Sequence, residues 1–204
     1  MPADAVVHVI DDDEAARESL AFLLETADFA VKTYESAVQF LERLPSLEAG
    51  CIVTDVRMPE MTGLELVTEL NRRGSGLPVI VITGHGDVPL AVEAMRGGVI
   101  DFIEKPFNDE TMLNALRVAL ARGADQREQI EERKIVAERL SRLSTRERQV
   151  LNGLLAGQAN KVVAQELGIS PRTVEVYRAN LMTKMRAASL SELVRMAIVA
   201  ESRP

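Results

Sequence analysis

The stretch "CIVTDVRMPEMTG", residues 51–63, decides the fold. It starts as a core strand, because Cys51, Ile52 and Val53 are apolar and Ile52 and Val53 are β-branched. It then reaches Asp55 and runs through Pro59 to Gly63. A buried, ionised Asp is costly unless it is paired or bound to a metal. At the C-terminal edge of a strand it faces a crevice instead, which is where open parallel sheets gather functional groups.

The flanking sequence supplies such a sheet. "VVHVI" (6–10), "FAVKTY" (29–34), "PVIVIT" (78–83) and "IDFIEK" (100–105) read as four more strands. Helical stretches alternate with them: 14–27, 36–44 with Ser36 as N-cap, 63–73, 88–97, and 108–122 with Asn108 as N-cap. Short, largely apolar strands separated by helices predict an α/β domain, a five-stranded parallel sheet covered on both faces, over residues 5–122. Residues 123–140 are charged and helix-forming. They are expected to be a helical linker, either continuous with the preceding helix or interrupted at Gly123. Its apolar positions (Ile130, Ile135, Val136, Leu140) are too sparse to support a long coiled coil.

Residues 141–203 read as an all-α domain of four short helices. Gly157 and Gly168 mark helix ends, Ser144, Ser170 and Ser189 are N-caps, and Pro171 takes a first helical position. Charge divides the same way. From Arg142 to Pro204 there are 10 Lys+Arg against 5 Asp+Glu, whereas residues 1–141 carry 14 against 26. An acidic front and a basic back suggest two domains with different partners, and the basic end is a candidate for nucleic acid.

The 204 residues are 47% hydrophobic and 27% charged, a globular composition. No apolar run approaches the roughly 18 residues of a membrane span. The N-terminus lacks a signal-peptide pattern and the one cysteine has no internal partner, so a cytoplasmic protein with no membrane role is expected. Cys51 sits on a core strand and reads as packing rather than as a nucleophile.

Read in order, the strand ends collect Asp11, Asp12 and Asp13, then Asp55, then Thr83, then Glu104 and Lys105. Carboxylates gathered at one mouth repel, and a hard divalent cation such as Mg²⁺ relieves that. A nucleophilic Asp beside a metal, a Lys and a hydroxyl is equipped for phosphoryl transfer. For any one of these residues, helix capping or a solvated charge explains it as well. For the whole set that explanation is weak.

"VIDDDEAAR", "VTDVRMPEMTGLEL", "VIVITGHGD" and "DFIEKPF" resemble the receiver domain of two-component response regulators. The resemblance covers about residues 5–122 and implies a doubly wound, flavodoxin-like fold. It implies that Asp55 is the phosphoacceptor. Asp12 and Asp55 would bind Mg²⁺ (or Mn²⁺) directly, Asp11 through water, and the Arg57 backbone carbonyl would complete the protein ligands. Thr83 would be the switch hydroxyl and Lys105 the phosphate-pairing lysine, followed by a cis bond to Pro106. Phe102 would be the switch aromatic, where many relatives have Tyr, although it reads equally well as plain core.

Residues 160–179 have helix-turn-helix form, with Gly168 ending one helix and Ser170-Pro171 starting the next. The second helix can enter a major groove. Arg172, Thr173, Val176, Arg178, Asn180 and Lys184 on it, and Lys161 on the first, are candidate DNA contacts. "LSTRERQVL" (143–151), the Gly157–Lys161 stretch and "ISPRTVEVYRANLMTKM" (169–185) are similar to the LuxR-type helix-turn-helix family. Glu175 and Tyr177 depart from it, standing where a basic residue and His are common. Glu175 would repel phosphate or accept from a cytosine amino group.

The combined layout looks like a response regulator that activates transcription, nearest to the regulators of nitrogen-fixation genes. That likeness implies a sensor histidine kinase, a FixL-like haem-containing oxygen sensor, together with promoter DNA and RNA polymerase. Regulators of aromatic catabolism share the motifs, so another signal is an alternative. Phosphorylation is expected to drive homodimerisation through a face that includes Ala91, Val92 and Met95. In the unphosphorylated state the receiver would cover the DNA-binding helices, by charge or by apolar contact. An Mg²⁺-dependent phosphotransferase using Asp55 is disfavoured, because such enzymes often place a second Asp where Arg57 stands. A phosphate-carrying relay without a DNA role is disfavoured by the helix-turn-helix.

Overall fold

The structure is a computed structural model that describes residues 5–84 and 88–201. His85, Gly86 and Asp87 of the quoted receiver-like stretch, and residues 202–203 of the expected second domain, lie outside the described residues. The chain divides into two compact units between Arg127 and Glu128.

In the first unit five strands form one parallel sheet: β1 (Val6–Ile10), β2 (Ala30–Tyr34), β3 (Gly50–Asp55), β4 (Val79–Thr83) and β5 (Asp101–Glu104). Their order is β2-β1-β3-β4-β5. The chain reverses its direction of winding at β1, so the mouth of the sheet opens between β1 and β3. There Ile10 pairs with Thr54, and Asp11 follows one strand while Asp55 ends the other. The three central strands are almost wholly buried, as their apolar runs require, whereas β2 and β5 lie at the edges and are partly exposed.

Alternation along the strands feeds two cores. Val7, Val9, Cys51, Val53, Ile80 and Ile82 point to one side, against α1 (Glu14–Thr26) and the N-terminal half of α5 (Asp109–Ser141). Ile10, Ile52, Val79 and Val81 point to the other, against α2 (Ala37–Arg43), α3 (Gly63–Arg72) and α4 (Val88–Arg96). A short 3-10 turn, Leu44–Ser46, ends the α2 region. Ser36 caps α2 at Gln39 N–H and Asn108 accepts from Thr111 N–H ahead of α5.

Helix α5 runs from Asp109 to Ser141 without interruption at Gly123. A Cβ at that position would lie 3.0 Å from Pro78 Cδ and Cγ. Gly123 therefore lets the helix approach the start of β4 closely, and does not break it.

The second unit packs the last turns of α5 with α6 (Thr145–Leu155), α7 (Asn160–Leu167), α8 (Pro171–Met185) and α9 (Leu190–Glu201). Val136 and Leu140 of α5 join Val150, Leu151, Val163, Val174, Leu181 and Met185 in its core. Ser144 and Glu147 form a reciprocal capping box on α6, and Ser170 caps α8 with Pro171 in its first turn. Gly168 ends α7 at φ 66°, a left-handed conformation that suits glycine. Among the described residues no helix is long and apolar enough to cross a membrane.

Candidate functional site

Asp55 ends β3 with its side chain only 12% exposed. Asp11, directly after β1, is 8% exposed at its side chain. Lys105, after β5, bridges them: its Nζ donates to Asp11 Oδ2 at 3.0 Å and to Asp55 Oδ1 at 2.9 Å. Burial alone would lower the Lys105 ammonium, but the hydrogen bonds it donates to Asp55 and Asp11, with the attraction of both carboxylates, outweigh it and the net shift is upward. Lys105 thus stays charged at physiological pH.

The remaining acceptors of both carboxylates are met by backbone. Arg57 N–H donates to Asp55 Oδ2 at 2.7 Å, and Asp13 N–H donates to Asp11 Oδ1 at 3.0 Å. Asp13 itself caps α1 through Ala16 N–H, and Asp12 is exposed beside it. Thr83, at the end of β4, is 1% exposed. Phe102 is half-buried against the second core. The Lys105–Pro106 bond is cis. A cleft of about 310 Å³ opens beside Asp11 and Lys105, walled in part by Leu20, Leu23 and Phe107.

Two residues of this mouth were not singled out from sequence. Arg17 donates from Nη1 to the Asp11 carbonyl at 2.6 Å and fixes the backbone after β1. Its spacing from Asp13, one turn into a capped helix, was the available signal. Gly63 starts α3 hard against β3, where a Cβ would lie 2.2 Å from the Asp55 carbonyl oxygen. This is why the opening motif ends in Gly. Cys51, fully buried in β3, is pushed up to about 12 by burial and serves as packing.

Asp11, Asp12 and Asp55 carry three negative charges against one Lys105, and all their donors are hard oxygens. That chemistry fits a divalent cation such as Mg²⁺ or Mn²⁺. Among the described residues no group of three such side chains is already gathered around a metal position, and Lys105 Nζ lies within 3.0 Å of both Asp11 and Asp55.

In the second unit, α8 buries Val174, Leu181 and Met185 and turns Arg172, Val176 and Asn180 to solvent. Lys161 is exposed on α7. Three other candidates have partners within the unit. Arg178 Nη1 donates to Asn160 Oδ1 at 2.7 Å. Lys184 Nζ donates to buried Glu147 at 2.7 Å. Thr173 shares a hydroxyl hydrogen bond of 2.8 Å with Ser170. Hydrogen bonds from Lys184, then from Ser144 N–H, hold the Glu147 carboxyl below its ordinary range.

Comparisons with known proteins agree with this division. Residues 7–117 match the response regulator receiver domain, and residues 141–197 match the luxR family of bacterial regulatory proteins. The chain is 60% identical to the transcriptional regulatory protein FixJ of Azorhizobium caulinodans, over all of this chain and 97% of that protein. It is 45% identical to the response regulator protein TmoT of Ectopseudomonas mendocina, over 94% of this chain and 87% of that protein. Among solved structures, the response regulator StyR matches with a TM-score of 0.83 and 40% identity, over 96% of this chain and 98% of that one. These relatives are named as regulators, not as enzymes.

Proposed function

The chain belongs to the two-component response regulators that join a receiver to a LuxR-type DNA-binding domain, and from that premise we propose that Asp55 is its phosphoacceptor. The observation that carries the reading is the embrace of Lys105 by Asp11 and Asp55 at the mouth between β1 and β3. An Asp55 carboxylate oxygen attacks phosphorus on a kinase phosphohistidine. A P–O bond forms, the P–N bond breaks, and the imidazole leaves with that electron pair and takes a proton from solvent. Lys105 balances charge on the transferred group, and the Arg57 N–H orients the attacking carboxylate. Mg²⁺ or Mn²⁺ would be held by Asp11, Asp12, Asp55 and the Arg57 carbonyl, and when bound supplies positive charge beyond that of Lys105.

Thr83 then closes on the phosphoryl group and Phe102 follows, remodelling the face of α4, β5 and α5. Val92 and Met95 on α4 are 45% and 54% exposed, which suits a self-complementary homodimer contact with Ala91 nearby. A dimer sets two copies of α8 on two half-sites of promoter DNA, from which RNA polymerase is recruited. Arg172, Val176 and Asn180 on α8 and Lys161 on α7 make the DNA contacts. Thr173, Arg178 and Lys184 join them only by exchanging the partners described above.

The identity to FixJ supports the finer assignment, a FixL-like oxygen-sensing kinase and nitrogen-fixation genes. The likeness to two other response regulators, TmoT and StyR, fits the alternative in which the same switch serves another signal, such as aromatic catabolism. Treatment with acetyl phosphate and Mg²⁺, read by intact mass, sedimentation and gel shift, tests the switch. One phosphoryl adduct, a dimer and tighter DNA binding are expected, and Asp55→Asn loses all three. An adduct that persists in the Asn variant would place the acceptor elsewhere.

A further inference from the structure

The solvent stripe of α8 carries one charged residue that DNA binding as proposed above does not use. Arg172, Glu175, Val176, Ala179, Asn180 and Thr183 are exposed and recur at helical spacing, away from buried Val174, Leu181 and Met185. Glu175 is the one acidic member of that stripe. Among the described residues no hydrogen bond or ion pair engages its carboxylate, whereas Glu147 of the same unit is capped, paired and buried. Val176 beside it is 56% exposed.

A carboxylate presented to DNA is repelled by every phosphate, so it weakens non-specific binding. Its return comes from a base edge, and the major groove offers few matches. A carboxylate only accepts hydrogen bonds. Guanine shows N7 and O6 there and thymine shows O4, all of which repel it. Adenine offers its amino group next to the repelling N7. Cytosine offers its N4 amino group with no acceptor of its own in the groove. An exposed Val fits the remaining distinctive feature, the thymine methyl.

We propose that Glu175 is a specificity-determining residue that selects cytosine at one position of each half-site, with Val176 against a thymine methyl next to it. The inference rests on α8 as the recognition helix and goes beyond that reading by naming the bases. Glu175 is solvent-exposed, so its substitution leaves the core of the unit intact.

The test is selection from a random duplex library by the full chain after acetyl phosphate treatment, for wild type, Glu175→Gln and Glu175→Ala. An amide both donates and accepts, and pairs with adenine N6 and N7. One fixed C·G pair per half-site is expected in the wild-type motif. In Glu175→Gln it becomes A·T, with a swing of about tenfold. In Glu175→Ala that position loses its preference while the others keep theirs. Both variants bind unrelated duplexes more tightly, because a charge that repels phosphate is gone. A wild-type motif with no fixed C·G pair, or the same pair retained in both variants, overturns the inference and leaves DNA binding standing. A wild type that retains no duplex overturns the DNA-binding reading, and the inference falls with it.

Discussion

The mouth of the receiver and the surface of the helical unit treat charge in opposite ways. At the mouth, Asp11 and Asp55 share one ammonium group with Asp12 exposed beside them, and an excess of negative charge is left for a cation or a phosphoryl donor to meet. In the helical unit the surplus is positive, but several of its cations have their donors engaged inside the fold. Arg139 donates to the Met185 carbonyl at the end of α8, Arg146 to Leu167 at the end of α7, and Arg148 to Leu140 near the end of α5. Lys184 pairs with Glu147 and Arg178 with Asn160. Helix C-termini expose unpaired carbonyls and a negative dipole end, so cations settle there. The lesson is that net charge points to a ligand only after internal partners are counted.

Lys105→Met gives the largest effect on that contrast. It leaves Asp11 and Asp55 repelling each other with no ammonium between them. Phosphoryl transfer from acetyl phosphate should slow at least about tenfold, read as adduct per minute by intact mass. An unchanged rate would mean that Lys105 is a structural counter-ion.

Glu147→Gln probes a charge spent internally. It should destabilise the helical unit by about 2 kcal/mol, seen as faster hydrogen exchange in α6 and α8. The pH dependence follows from the sign of the shift. The folded carboxyl sits below its ordinary value of 4.5, so its contribution is complete above that pH and is lost as pH falls through the lower folded value. Wild type should lose protection in α6 below about pH 4.5, and the Gln variant should lack that component.

Arg172→Ala removes an exposed cation from the α8 stripe. Affinity should fall by a similar factor on matching and unrelated duplexes, and the salt slope should shrink by about one. Arg148→Ala is the control and the smallest effect: its guanidinium serves the Leu140 carbonyl, so the salt slope should stay unchanged. If both arginines alter the slope equally, the contrast between spent and available charge fails.

The receiver mouth was legible because its residues sit at strand ends, and strand ends can be read from apolar runs and the Gly and Pro that follow. Asp11, Asp55 and Lys105 come together on that logic alone. The direction of side chains around α8 was less legible. Arg178 lies four residues after buried Val174 and three before buried Leu181, which turns it toward the core side. Lys184 precedes buried Met185 and reaches Glu147 from a different helix, a partner that no spacing within α8 reveals. Gly123 was ambiguous for a similar reason: its purpose is Pro78, which is far away in sequence.

Cys51 has a use of its own for the experimenter. It is the chain's one thiol, it is fully buried in β3, and burial pushes it up to about 12. A thiol reagent reaches it only when the sheet opens, so labelling kinetics time the opening of the receiver alone. The helical unit contributes no background to that clock. Slower labelling after phosphorylation would measure, without any engineered probe, how firmly the phosphoryl group locks the sheet shut.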